Sequence, residues 1–273
     1  MSELPVGVFD SGVGGLTVLR ALRAALPDER FVYLGDTARL PYGTKSGETV
    51  TRYAEQAARV LVGRGVKLLV IACNTASAVA LDHLAGVFAP LPVIGVIEPG
   101  AAAACAASRS GRIAVIATEG TVRGGAYERA IRAIRPDVDL VATPCSLFVA
   151  LAEEGWVSGP IVEAIARRYL EPVIRARPGL DCLVLGCTHF PVLRDAIAAA
   201  VGPAVRLVDS AETTAAAVSA CLVRSGLRAG LSAAGDRASV RFLATDAPER
   251  FARVGAVFLG EAIAPEDVEL VDL

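Results

Sequence analysis

The sequence predicts an α/β protein built of two similar halves, each a mostly parallel sheet flanked by helices. Three observations predict it. Short, nearly continuous apolar runs alternate with stretches of helical periodicity, the pattern of strands covered on both faces. A strand-like run ending in cysteine and small polar residues occurs twice, as Val70-Ile71-Ala72-Cys73-Asn74-Thr75 and Val184-Leu185-Gly186-Cys187-Thr188-His189, each followed by a helix. Of 273 residues, 53% are hydrophobic, 5% are aromatic and 26 are glycine. Such a chain can bury a full core and is too apolar for disorder.

In chain order, the apolar runs at 6–9, 31–34, 68–72, 93–97, 113–117, 183–185 and 205–208 are expected strands, being short and rich in Val, Ile and Leu. Residues 16–25, 49–62, 122–134, 161–176 and 192–200 carry apolar side chains at helical spacing and are expected helices. A weaker echo pairs Val8-Phe9-Asp10-Ser11-Gly12 with Ile116-Ala117-Thr118-Glu119-Gly120. The repeat offset places the crossing into the second half near Ile97-Glu98-Pro99-Gly100 and the return near Val208-Asp209-Ser210. Residues 1–97 with 209–273 are thus expected to form one domain, and 98–208 the other.

Net charge is -2 and no Lys or Arg cluster stands out, which argues against nucleic-acid or membrane-surface binding. The nearest, Arg123 to Arg135, alternates basic with apolar residues and reads as one solvated helix face. No basic leader opens the chain, and the alanine-rich stretch 101–107 is far short of the ~20 residues a bilayer needs. A cytoplasmic protein is expected. Its six cysteines (73, 105, 145, 182, 187 and 221) show no CxxC spacing, so reduced thiols are expected rather than a disulfide framework or a structural zinc site.

Ligands of open parallel sheets bind beyond the carboxyl ends of the strands. Four segments concentrate polar residues at such places. Asp10-Ser11-Gly12-Val13-Gly14-Gly15 is a glycine turn opening a helix, where backbone N–H groups can approach an anion. Any strand-to-helix connection can use such a turn, and Asp10 is what distinguishes this one. Gly35-Asp36-Thr37 with Pro41-Tyr42-Gly43 reads equally as a shaped loop or as part of a site. A lone cysteine at a strand end is usually a small buried hydrophobe. Two at matching points of two similar halves, followed by Asn74-Thr75 and Thr188-His189, point to a shared site. The other histidine, His83, lies in a helical stretch and reads as structural.

These segments, with Leu185-Gly186-Cys187-Thr188-His189-Phe190-Pro191 and a tail over residues 242–259, resemble the successive motifs of the bacterial glutamate racemases, in order and over nearly the whole chain. The resemblance implies two pseudo-symmetric domains with the active site in the cleft between them. It implies cofactor-independent interconversion of L- and D-glutamate for peptidoglycan synthesis, with no metal, by a cytoplasmic homodimer. Cys73 would handle the proton of D-glutamate and Cys187 that of L-glutamate, assisted by Asp10 and His189 respectively. Asp10, Ser11, Tyr42, Gly43, Asn74, Thr75, Thr188 and His189 would bind substrate, and Asp36 and Glu153 match further acidic positions, with Glu154 beside Glu153 as the competing choice. The chain departs from the family pattern at Ala150, where a proline is expected, a difference of local loop shape. With nine residues before Asp10, activation by a cell-wall precursor is not expected.

Inverting a stereocentre needs a base on one face and an acid on the other, and two thiols can exchange those roles. A free thiol titrates near ~8.5, so a modest push is expected to produce thiolate near neutrality. Pyridoxal phosphate is not expected. Of the two lysines, Lys67 precedes its strand at the wrong end of the sheet, and Lys45 has no phosphate cup beside it. Three other readings compete: a racemase for aspartate or another amino acid, a zinc hydrolase using Cys187, His189 and Asp10, and a non-catalytic cleft-binding protein.

Overall fold

A computed structural model describes residues 2–230 and 239–273. One sheet draws on β1 (Val6–Asp10), β2 (Phe31–Gly35), β3 (Leu68–Ile71), β4 (Val93–Gly95), β9 (Val240–Ala244) and β10 (Val268–Leu270), and the other on β5 (Arg112–Ala117), β6 (Asp139–Pro144), β7 (Cys182–Gly186) and β8 (Arg206–Asp209). The helices are α1 (Leu16–Ala25), α2 (Gly47–Gly63), α3 (Asn74–Val87), α4 (Ile97–Ala107), α5 (Glu119–Gly124), α6 (Ala126–Ile134), α7 (Leu147–Glu153), α8 (Pro160–Ala176), α9 (Arg194–Val201), α10 (Ser210–Arg224) and α11 (Pro248–Leu259).

The sheets run β10-β9-β2-β1-β3-β4 and β6-β5-β7-β8, with every pairing parallel. The order β2-β1-β3-β4 recurs as β6-β5-β7-β8, so β3 and β7 occupy equivalent places. The two repeated cysteine segments are therefore topologically matched, and so are the weaker echoes at the ends of β1 and β5. β1, β3 and β7 are buried along their full length, which is why they read as unbroken apolar runs. The main apolar core runs through both halves, and a smaller one lies between the first sheet and α2 with α3.

Several elements differ from expectation. The helix expected over 122–134 is two, because Gly125 adopts φ 62° and separates α5 from α6. The basic residues 123–135 consequently do not share one helix face. The strand expected over 93–97 stops at Gly95, since Ile97 already opens α4. The segment around Ala150 is helix α7, not a loop. Strands β6, β9 and β10 carry partly exposed side chains and so lack the continuous apolar signature.

Lys67 enters β3 from the end opposite the cysteines. Its Nζ lies 2.5 Å from Glu29 Oε2, with side-chain exposures of 1% and 2%. Removing one partner of such a pair strands a buried charge, at a cost of about 3–5 kcal/mol. Lys67→Met is expected to lower the unfolding free energy by about that amount, measured in denaturant, while catalysis by the folded fraction is unchanged.

Candidate active site

A cavity of about 330 Å³ opens where the carboxyl ends of the two sheets face each other. Ser11, Tyr42, Gly43, Cys73, Asn74 and Thr75 line it from the first half, and Glu153, Cys187, Thr188 and His189 from the second. The two strand-end cysteines thus share one cavity. Of the residues expected there, Asp10 and Asp36 do not line it. Each is fully buried behind it.

Cys73 caps α3, where its sulfur accepts from the Ala76 backbone N–H at 3.5 Å. The thiol also lies 3.5 Å from Ser11 Oγ. Burial, reinforced by the Asp10 charge, pushes this thiol up to about 12, against the pull of the Ser11 and Ala76 hydrogen bonds. The modest push towards thiolate expected from sequence is therefore reversed here, because burial favours the protonated thiol. Asp10 Oδ2 accepts from the Gly12 N–H at 3.0 Å, while Oδ1 has no partner among the described residues. Burial pushes this carboxyl up too, and the charge of His189 and the backbone amides of Gly15, Gly12 and Ser11 offset only part of that.

The Cys187 side is built differently. His189 Nδ1 lies 3.8 Å from Cys187 Sγ, and its Nε2 lies 3.1 Å from Glu153 Oε1. Glu153 Oε2 in turn accepts from Arg250 Nη2 at 3.0 Å. Burial pulls the imidazole down, but hydrogen bonding to Cys187 and Glu153 and the nearby negative charges outweigh it, raising His189 to about 10. Burial raises the Glu153 carboxyl, yet its bonds to His189 and Arg250 hold it below the usual carboxylate range. Glu153 faces the site, and Glu154 is exposed. The imidazole also packs edge-on against Phe258, with centroids 5.0 Å apart.

A histidine raised on folding stabilises the fold fully below its unfolded value of ~6.5, and the contribution disappears as pH rises through about 10. The unfolding free energy of the wild type should therefore fall more steeply from pH 7 to pH 10 than that of His189→Asn. Parallel pH profiles would refute the proton on His189.

The remaining lining combines apolar side chains with Asn74, Thr75 and Thr188. Asn74 Oδ1 accepts from the Tyr127 hydroxyl at 2.8 Å, and Asn74 Nδ2 is buried without a partner among the described residues. Thr75 Oγ1 lies 3.1 Å from both Thr118 Oγ1 and Thr121 Oγ1, joining α3 to the start of α5. The positive end of the α3 dipole favours an anion at this point. Tyr42 donates its hydroxyl to Asp36, which also accepts from Arg39 Nε at 2.6 Å and Thr245 Oγ1 at 2.9 Å. Tyr42 lines the cavity, and Asp36, behind it, holds the Tyr42 hydroxyl.

Thr118, Ser146, Val149 and Ala150 also line the cavity and were missed by sequence reasoning. Thr118 had a signal, since it sits in the echo of the Asp10-Ser11 segment. Ser146, just before α7, and Val149, within it, had none, and Ala150 was marked only as the departure from the family pattern. His83 lies away from the cleft, paired with Glu55. Among the described residues no group of three or more His, Cys, Asp or Glu side chains is placed to hold a metal ion, and no helix is long and apolar enough to cross a membrane.

Comparison with known proteins places this geometry. The sequence pattern of the Asp/Glu/hydantoin racemases matches residues 16–218. The glutamate racemase of Geobacter metallireducens is 52% identical over 255 residues, covering 93% of this chain and 92% of its own. That of Chlorobaculum tepidum is 42% identical, covering 100% of this chain and 97% of its own. The crystal structure of the Francisella tularensis glutamate racemase in complex with D-glutamate superposes with a TM-score of 0.90 at 37% identity, covering 100% of this chain and 98% of that one. The pattern match spans most of the chain and the relatives span nearly all of it, and on that ground the chain belongs to the Asp/Glu/hydantoin racemase family, beside its glutamate racemases.

Proposed function

We propose that the chain interconverts L-glutamate and D-glutamate by proton transfer between Cys187 and Cys73, with no organic cofactor. One observation carries this reading: equivalent strands of two repeated sheets deliver one thiol each into a single cavity that Asn74, Thr75 and Thr188 also line. In the direction from L to D, Cys187 as thiolate takes the α-proton, and Cys73, still a thiol, gives its proton to the opposite face. The sulfurs end with exchanged roles, and the D to L direction retraces the path. The imidazolium of His189, held by Glu153, offsets the negative charge on the Cys187 side. Asn74, Thr75 and Thr188 present donors to the substrate carboxylates as charge develops next to the α-carbon.

The domain division at 97/98 and 208/209, a homodimeric assembly, a cytoplasmic location and a role in supplying D-glutamate for peptidoglycan accompany this reading. The resemblance of the motifs supports them, and the net charge of -2 suits a small-molecule substrate rather than a polyanion.

The test is racemisation of L-glutamate by purified protein without added cofactor, run beside α-proton exchange of L-glutamate and L-aspartate in deuterated water. Glutamate is expected to exchange faster. Faster exchange of aspartate would overturn the substrate assignment, and loss of activity on metal chelation would overturn the two-thiol route.

A further inference from the structure

We propose that Tyr127 is a positioning residue that aims the Asn74 amide at the substrate. This rests on the glutamate reading above. Tyr127 belongs to α6 of the second half, and Asn74 opens α3 of the first. The hydroxyl lies 2.8 Å from Asn74 Oδ1, and both residues are buried, with 3% exposure each. Asn74 lines the cavity, and its Nδ2 has no partner among the described residues.

A buried amide donor without a partner is costly, and this one lines the cavity, where a substrate carboxylate would satisfy it. The amide could instead turn over and show its oxygen to the cavity, where it would repel a carboxylate. In the structure the Tyr127 hydroxyl donates to Oδ1, which holds the amide with its NH₂ turned away from the ring. The phenol is well suited to remain a donor, because burial and then the Cys187 charge push its ionisation upward.

The ring is held as firmly as the hydroxyl. A Cβ on Gly186 would come within 3.0 Å of Tyr127 Cε2, and one on Gly100 within 3.3 Å of Tyr127 Cε1 and Oη. The two glycines leave room for the ring at the end of β7, immediately before Cys187, and beside α4. The bond to Asn74 also ties α6 to the start of α3.

Racemisation kinetics of Tyr127→Phe, Asn74→Ala and the double variant test this, with wild type alongside. Tyr127→Phe removes only the hydroxyl and should raise KM for glutamate about tenfold, with kcat changed less than about twofold. Asn74→Ala should raise KM at least as far, and adding Tyr127→Phe to it should change nothing more, because the hydroxyl acts through that amide. Asn74→Asp leaves the ring untouched and replaces the donor by an acceptor, so its KM should also rise. An unchanged KM in Tyr127→Phe or Asn74→Asp would overturn the proposal. So would a loss confined to kcat, or a further loss in the Asn74→Ala background. A wild type that does not turn over glutamate would overturn the functional reading and this one together, whereas an active wild type with an unaffected Tyr127→Phe overturns this one alone.

Discussion

Cys73→Ser and Cys187→Ser should each lower kcat/KM for glutamate by about 10²–10⁴-fold, the range for loss of a positioned acid or base. A serine hydroxyl holds its proton far more tightly than a thiol and is a poor exchange partner at neutral pH. The fall must be equal in both directions. Enantiomers have equal free energy in solution, so the two kcat/KM values are tied together whichever cysteine is lost. The asymmetry appears in isotope exchange instead. Cys73→Ser keeps Cys187, so L-glutamate should still lose its α-proton to deuterated water and regain a deuteron on the same face, without inversion. Cys187→Ser should show the converse exchange in D-glutamate. Following both enantiomers by NMR and polarimetry gives the readout, and racemisation at the wild-type rate in either variant would refute the two-thiol route.

Gly14→Ala should cost about 10²-fold in kcat/KM, because misplacing a catalytic group by about 1 Å has that order of effect. A Cβ at residue 14 would overlap His189 Nδ1 and Thr188 Oγ1, so the imidazole would lose its place between Cys187 and Glu153. Overpacking at this junction should also lower stability by about 1–3 kcal/mol. Gly86→Ala is the matched control. Gly86 lies inside α3, and a Cβ there meets nothing within 4 Å, so activity should be unchanged and stability equal or higher by up to about 1 kcal/mol. Near-normal activity in Gly14→Ala would mean that the contact between Gly14 and His189 has no bearing on the reaction.

Much of the architecture was legible because it is written in short-range periodicity. β1, β2, β3, β5 and β7 are buried on both faces and announce themselves as apolar runs. β6, β9 and β10 carry partly exposed side chains and do not. The alanine-rich α4 was equally quiet, since small side chains give little amphipathic contrast. Gly125 was visible, but whether a glycine pair interrupts a helix depends on what each side packs against.

The sequence by itself determined where thiols and polar side chains meet strand ends, because strand and following helix are local signals only a few residues long. It also carried the repeat that makes Cys73 and Cys187 equivalent. Tertiary structure alone decided that Glu153 rather than Glu154 faces His189, that Asp10 and Asp36 lie behind the cavity, and that Thr118 belongs to it. It also decided that Cys73 is pushed up rather than down. The physical reason is one of range: burial and Coulomb interaction depend on neighbours brought in from distant chain segments, such as Thr118 against Thr75, Arg250 against Glu153 and Tyr127 against Asn74.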